Sequence, residues 1–294
     1  MDPDASLLAL CHFPRAGSRV DLAVSGGPDS LGLLLLARAA GLEVAVHHVD
    51  HHARPSSTDD ARSLAATCAS LGVALTVHDV SVEPGANFEA RARAARRAAL
   101  PPSALTGHTM DDLAETMVVN LLRGAGVDGL APMVNDATKP LRDVRRAELH
   151  EYVARSGHRA LVDETNASGL FTRNRVRLEV MPMLCEVARR DVVPILARQA
   201  ALMDEERRWL DELARDGAPA LADADCRELR AWPRARLRRW LRDQLRSSDR
   251  GDGAHPPSAD EVERAIAVVT GVTVAAELSG GRRLSRRAQR LSLQ

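Results

Sequence analysis

The first half of the chain alternates short apolar runs, each closed by a polar turn, with stretches of helical period. Val20 to Ser25 is the first run, and the leucine-rich stretch Leu31 to Ala40 follows it at once. Glu43 to Val49 (EVAVHHV), Ala74 to Val80 and the short Ser103 to Thr106 repeat the strand pattern, bounded by glycine and polar residues. Between them, Ser56-Ser57-Thr58-Asp59 supplies capping residues for a helix to Leu71. Asn87 to Leu100 forms a second helix, basic through Arg91, Arg93, Arg96 and Arg97, which Pro101-Pro102 stops. Ser6 to His12 is a short leading helix. Strands alternating with helices at this interval predict parallel pairing through right-handed crossovers, hence an α/β doubly wound parallel sheet.

Beyond Pro182 and Pro194 the pattern changes. Asp191 to Arg215 is predicted as one long helix and Arg227 to Leu245 as further helix, regular from Pro233 onward. Arg246 to Pro257 is a polar linker, and the tail from Val272 is a β-hairpin around Gly280-Gly281. Two domains are expected, 1–188 and a smaller, mostly helical 189–294.

Ligands of such sheets bind beyond the carboxyl ends of the strands. The first strand ends in Ser25-Gly26-Gly27-Pro28-Asp29-Ser30, directly before a helix. Two glycines let phosphate oxygens approach the main chain, and the free amides and dipole of the helix start favour an anion. Asp29 is the odd member: a carboxylate there suits either a magnesium ligand or the helix N-cap. The loop has neither the Gly-Lys-Ser/Thr of a Walker A loop nor the spacing of a dinucleotide fold. The second strand ends at Asp50-His51, placed as pocket-lining groups. Adjacent histidines 47, 48, 51 and 52 cannot all converge on a metal, because neighbours on a strand face opposite ways. The fourth strand leads into Gly107-His108, the third polar cluster on the same rim.

Thr109 can cap a helix in which Asp112, Glu115 and Thr116 share one face. Asp111 reads as a dipole partner, Asp112 as a metal or catalytic carboxylate competing with a capping role. Arg123 falls at the helix's C-terminal edge, where it serves a phosphate, an RNA backbone or a plain surface contact. Further on, Asp163-Glu164-Thr165-Asn166 feeds an arginine-rich helix in which Arg173 and Arg177 share a face and Arg175 points elsewhere. Near the C-terminus Arg234, Arg236, Arg238, Arg239 and Arg242, with Trp232 and Trp240, form either an RNA-gripping helix or a solvated one over buried tryptophans.

Composition narrows the classes. At 294 residues, 45% hydrophobic and 27% charged, the chain is globular, and 2% aromatics leave the core to Ala, Leu and Val. Net charge is zero, so any nucleic-acid surface must be local. Lys139 is the one lysine. Cys11, Cys68, Cys185 and Cys226 are far apart, with no Cys-x-x-Cys for zinc or paired redox chemistry, which suits a reducing cytoplasm. Neither a signal peptide nor a membrane span is visible.

SGGPDS, HVDHHARP, GHTMDDLAET, NLLRGAGVDGLAPM, KPL and VDETNASGLFTRNRVRLEVMPML occur in order from about Val20 to Leu184. Together they resemble the tRNA(Ile)-lysidine synthase family of pyrophosphatase-loop enzymes, whose fold is adenine nucleotide hydrolase-like. His52-Ala53 stand where the family usually has Gly-Leu, Leu113 where it has Gln, and Lys139 where it has Arg. The resemblance implies ATP-dependent adenylation of the wobble cytidine of CAU-anticodon tRNA(Ile), then attack by free L-lysine, releasing AMP and pyrophosphate. It implies ATP bound by Ser25, Gly26, Gly27, Pro28, Asp29, Ser30, Asp50, His51, Gly107 and His108, with Mg2+ on Asp29 and Asp112. Asp112, Arg123, Arg173 and Arg177 carry the catalytic roles, the C-terminal domain binds tRNA, the enzyme is cytoplasmic without a membrane partner, and a homodimer is left open.

Overall fold

The computed structural model describes residues 3–50, 57–80, 88–161, 172–247 and 257–294. His51, His52, Ser56, Asp163 to Asn166 and most of the 246–257 linker lie outside the described residues.

A leading helix α1 (Pro3–Ala9) precedes strand β1 (Arg19–Ala23), helix α2 (Pro28–Ala39), β2 (Glu43–Asp50), α3 (Ser57–Ser70), β3 (Ala74–Asp79), α4 (Phe88–Ala99) and β4 (Leu105–Thr106). The four strands are parallel in the order β3-β2-β1-β4. One face of the sheet carries the core: Leu22, Val24 and Val46 pack against α2, against Leu64 and Cys68 of α3, and against Leu149 and Val153 of helix α7 (Arg146–Arg155). Every residue of α2 from Ser30 to Ala37 is buried, as an internal helix apolar all round requires. On the opposite face a polar chain crosses three strands. His47 Nε2 meets Asp21 Oδ1 and His47 Nδ1 meets His78 Nε2, each at 3.0 Å. His48 turns to the other side, with Nδ1 on the Val24 carbonyl. Among the described residues no group of three or more His, Cys, Asp or Glu could hold a metal.

After β4 comes helix α5 (Met110–Leu122), then α6 (Val127–Leu130) and α7. A helical rod follows: α8 (Thr172–Arg175), one π turn (Val176–Val180) and α9 (Met181–Ala188). Helix α5 buries its apolar side in two small cores, one shared with Val176, Met181 and Val193, the other with Ala200 of the long helix α10 (Val193–Arg215). Leu113 belongs to the second and is buried at 3% exposure, so leucine at this position fills a core and makes no polar contact.

The chain divides into compact units at Asp204/Glu205, inside α10, rather than at 188/189. The first half of α10 packs on α5, and its last turns pair with the following helices through Asp211–Arg239 and Arg215–Asp243. The second unit holds α11 (Cys226–Arg230), α12 (Arg234–Ser247) and α13 (Ala259–Thr270). Their core includes Trp240, Leu241, Ile266 and Leu284. The tail is a three-stranded antiparallel sheet, β5 (Ala275–Glu277), β6 (Arg283–Arg287) and β7 (Arg290–Leu293), instead of one hairpin. Its second turn is Ala288-Gln289, both at positive φ (48° and 66°), a conformation that these side chains rarely adopt and that nothing in the composition announces.

Candidate active site

The Ser-Gly-Gly-Pro-Asp-Ser turn joins β1 to α2 as its spacing predicts. Gly26 takes φ +87°, open to glycine at little cost. Gly27 is the N-cap of α2 and Pro28 its first residue, so Asp29 is not the cap. The first helical bond runs from Leu31 N–H to the Gly27 carbonyl, leaving the Asp29 and Ser30 amides without intrahelical acceptors. The Ser25 amide donates to Ser30 Oγ (3.1 Å), and Ser30 Oγ donates to the Gly27 carbonyl (3.0 Å). The turn is thus closed on itself by its two serines, with the Asp29 and Ser30 amides left at the helix start, where the dipole favours an anion.

Gly107 follows β4 and presses directly on this turn. A β-carbon at Gly107 would stand 2.5 Å from the Asp29 carbonyl oxygen, so only glycine fits. His108 Nδ1 pairs with Thr106 Oγ1 at 2.8 Å, and the Thr106 amide donates to Thr138, fastening the 136–139 segment to the end of β4. Lys139 Nζ donates to Thr138 Oγ1 in the same group. Asp50 is buried at the end of β2. The carboxyl ends of β2, β1 and β4 are adjacent in the parallel sheet, with Asp50, the Ser25–Ser30 turn and Gly107-His108 at them.

The centre of the site is a carboxylate–guanidinium cluster. Thr109 caps α5 in a capping box with Asp112, whose Oδ2 accepts from the Thr109 amide and hydroxyl, both at 2.9 Å. Asp112 Oδ1 accepts from three guanidiniums: Arg146 and Arg173 at 2.9 Å and Arg177 at 3.2 Å. Glu115, one turn on, accepts from Arg146 and Arg177 at 2.8 Å through Oε1. Burial alone would raise the Asp112 carboxyl, but Arg146, Arg173, the Thr109 amide and His108 hold it down at about 2. Burial likewise works against the Arg146 cation, and Asp112, Glu115 and Asp29 raise its pKa.

Arg146 ties this cluster to the phosphate turn: its Nε lies 3.9 Å from Asp29 Oδ2, while Asp29 Oδ1 is bonded to His150 Nε2 at 2.7 Å. Both residues stand on α7, whose N-terminus is held by Asp111. Asp111 Oδ2 accepts the Arg146 amide at 2.8 Å, and Asp111 also binds the Arg145 guanidinium. Two buried donors in the cluster, Arg146 Nε and Arg173 Nε, make no hydrogen bond among the described residues and lie 3.9 Å from Asp29 Oδ2 and 3.6 Å from Glu115 Oε2.

Arg173 and Arg177 meet on one face as their spacing of four requires, and Arg175 turns away to Glu179. Arg123 is not brought to the cluster. It is the exposed C-cap of α5, roughly 16 Å along the helix axis from Asp112. Asp112 also departs from its expected role as a magnesium ligand: five N–H and O–H donors saturate its oxygens. Asp29 is less committed: its carboxylate is a third exposed, and among the described residues Oδ2 accepts no hydrogen bond and has Arg146 Nε 3.9 Å away, which leaves it open to a cation. Arg145, Arg146 and His150 were not anticipated. The signal was present in that two arginines at the start of a helix oppose its dipole, a local cost that implies carboxylates from elsewhere.

The PP-loop domain model matches residues 5–184. A tRNA(Ile)-lysidine synthase of Nocardia farcinica is 38% identical over 88% of this chain and 84% of its own length. One from Rhodococcus jostii is 37% identical over 81% and 80%. One from Deinococcus radiodurans is 39% identical over 80% of this chain but only 41% of its own, longer, sequence. Among solved structures, a U34-tRNA thiolase, NcsA from Methanococcus maripaludis with its [4Fe-4S] cluster, superposes with a TM-score of 0.56 at 16% identity, covering 69% of this chain and 79% of that one. That likeness concerns the fold alone.

Proposed function

The chain belongs to the tRNA(Ile)-lysidine synthase family of PP-loop proteins, and we propose that it joins free L-lysine to C2 of the wobble cytidine of CAU-anticodon tRNA(Ile) at the expense of ATP. The observation that carries the reading is the Arg146 bridge. It couples a phosphate-binding turn to a buried acid–arginine cluster, so nucleotide activation and a charged second substrate meet at one rim.

The cytosine carbonyl oxygen attacks the α-phosphorus of ATP, the bond to pyrophosphate breaks, and the amine of lysine then displaces AMP from C2. The Ser25–Ser30 turn binds the departing pyrophosphate through backbone amides and hydroxyls. Asp29 is the residue that would hold Mg2+, which supplies charge neutralisation on the phosphates when bound. Arg173, a third exposed, and Arg146 beside it put positive charge at the rim, where it would attract an anionic group of a substrate. Asp112 and Glu115 hold the three guanidiniums in place. Asp50, Gly107 and His108 line the nucleotide pocket, and Arg123, exposed at its helix end, meets the RNA backbone. The target base must leave the anticodon stack to reach this rim.

A thiolase chemistry finds no support in the cysteines: all four are unpaired and far apart in sequence, and burial pushes the Cys11 thiol up to about 12. No helix of the described residues is long and apolar enough to cross a membrane. The test is to follow ATP with tRNA(Ile) and lysine present. AMP and pyrophosphate in equal amounts are expected; ADP and phosphate, or no turnover, would overturn the proposal.

A further inference from the structure

Several arginines of the second unit are matched by an acid. Arg215 pairs with Asp243, Arg227 with Asp225, Arg234 and Arg238 with Glu263, and Arg239 with Asp211. Arg230 and Arg286 are different. Both donate to one neutral oxygen, Gln289 Oε1, at 2.9 and 3.3 Å. Both also crowd the left-handed Gly271 that closes α13, where a β-carbon would lie 3.3 Å from Arg286 Nη2 and 3.4 Å from Arg230 Nη2.

A helix C-terminus carries about half a negative charge, and Arg230 Nε already answers it by donating to the Val269 carbonyl at 2.9 Å. Two full cations at that end overcompensate it. The nearby carboxylate, Asp225, is committed to Arg227 at 2.8 Å. Arg286 Nε, like Arg236 Nε and Arg242 Nε of α12, is buried without an acceptor among the described residues. Gln289 itself is held there by an unusual turn, the positive-φ Ala288-Gln289 pair, with the Gln289 carbonyl accepting from the Cys226 amide at 2.8 Å.

We propose that Arg230, Arg286 and Gln289 form a phosphate-binding site for the backbone of the tRNA substrate, and that Arg234, Arg238 and Arg239 of the arginine-dense helix α12 are not part of it. The proposal rests on the reading of the chain as a tRNA-modifying enzyme. The guanidinium pair supplies the forked donors that a phosphodiester accepts, and the Gln289 side chain supplies a neutral partner. In α12, by contrast, Arg234, Arg238 and Arg239 are neutralised by Glu263 and Asp211.

The test is tRNA(Ile) binding to the full chain as a function of salt. The R230Q/R286Q variant is expected to bind about tenfold more weakly and to lower the slope of log K against log salt by about one to two. R230K/R286K, which keeps the charge, should retain most of the slope, and R234Q/R238Q should change affinity less than about twofold. Inorganic phosphate titrated separately distinguishes a small-anion site. If R230Q/R286Q loses phosphate binding but keeps tRNA affinity and slope, the RNA assignment is wrong. Unchanged behaviour toward both, in a variant with wild-type circular dichroism, removes the site altogether. Wild-type binding of tRNA without lysine transfer would fault the functional reading alone, whereas a wild type that binds no tRNA overturns both.

Discussion

Arginine meets carboxylate in two places in this protein, and the two differ in burial and in sequence span. In α12 of the second unit the arginines are dense in sequence, and their acids lie on α10 and α13 at the surface; Glu263 is more than a third exposed. In the first unit Asp112 and Glu115 are almost fully buried, and the guanidiniums that serve them come from α7, α8 and the π turn, 31 to 65 residues away. A surface pair contributes little, whereas removing one member of a buried cluster strands the others in low dielectric. Density of charge along the sequence therefore points to the wrong helix, and burial points to the right one.

The largest expected effect tests that contrast directly. D112N removes the negative charge shared by three guanidiniums and turns one of its oxygens into a donor; it should cost about 3–5 kcal/mol in chemical denaturation, with activity abolished; a loss below about 1 kcal/mol would make the cluster no different from the surface pairs. R146Q severs the link between turn and cluster. Its kcat/KM should fall about a hundredfold, equivalent to roughly 2.7 kcal/mol, while folding survives; a change within threefold would remove Arg146 from the account.

Asp112 also sets a pH signature. Its carboxyl sits at about 2 in the folded protein against an ordinary 3.8. The folded value is depressed, so the stabilisation is complete well above the unfolded value and is lost as pH falls from about 5 towards 2. The amount is on the order of 2 kcal/mol, and stability curves at successive pH values should show this step in wild type and lose it in D112N.

G107A places a methyl against the Asp29 backbone and should cost about 1–3 kcal/mol and raise KM for ATP; wild-type melting and KM would show that the close approach is not needed. Smallest of all, R234Q/R238Q should shift stability by under about 1 kcal/mol.

The parts of the fold that were legible are those governed by local rules. Period-two valine runs marked the strands, and Ser25 to Ser30 marked the turn because glycine there has a conformational reason. The shared face of Arg173 and Arg177 followed from helical spacing. What escaped depends on distant partners. Arg145-Arg146 looks like a solvated pair until Asp111, Asp112 and Glu115 are brought beside it. Arg123 looks poised for chemistry by its motif, yet the length of α5 carries it away. The unit boundary hides inside the uninterrupted period of α10, and the last turn of the chain lacks the Asn-Gly that would have announced it.

The central claim is the joining of lysine to one tRNA. The measurement is incorporation of labelled lysine by purified protein with ATP and magnesium, using CAU-anticodon tRNA(Ile) and, in parallel, a methionine tRNA with the same anticodon. The account predicts label in the isoleucine tRNA alone, with one AMP released per lysine. Pyrophosphate exchange without lysine incorporation, or no turnover in protein that binds ATP, would contradict it.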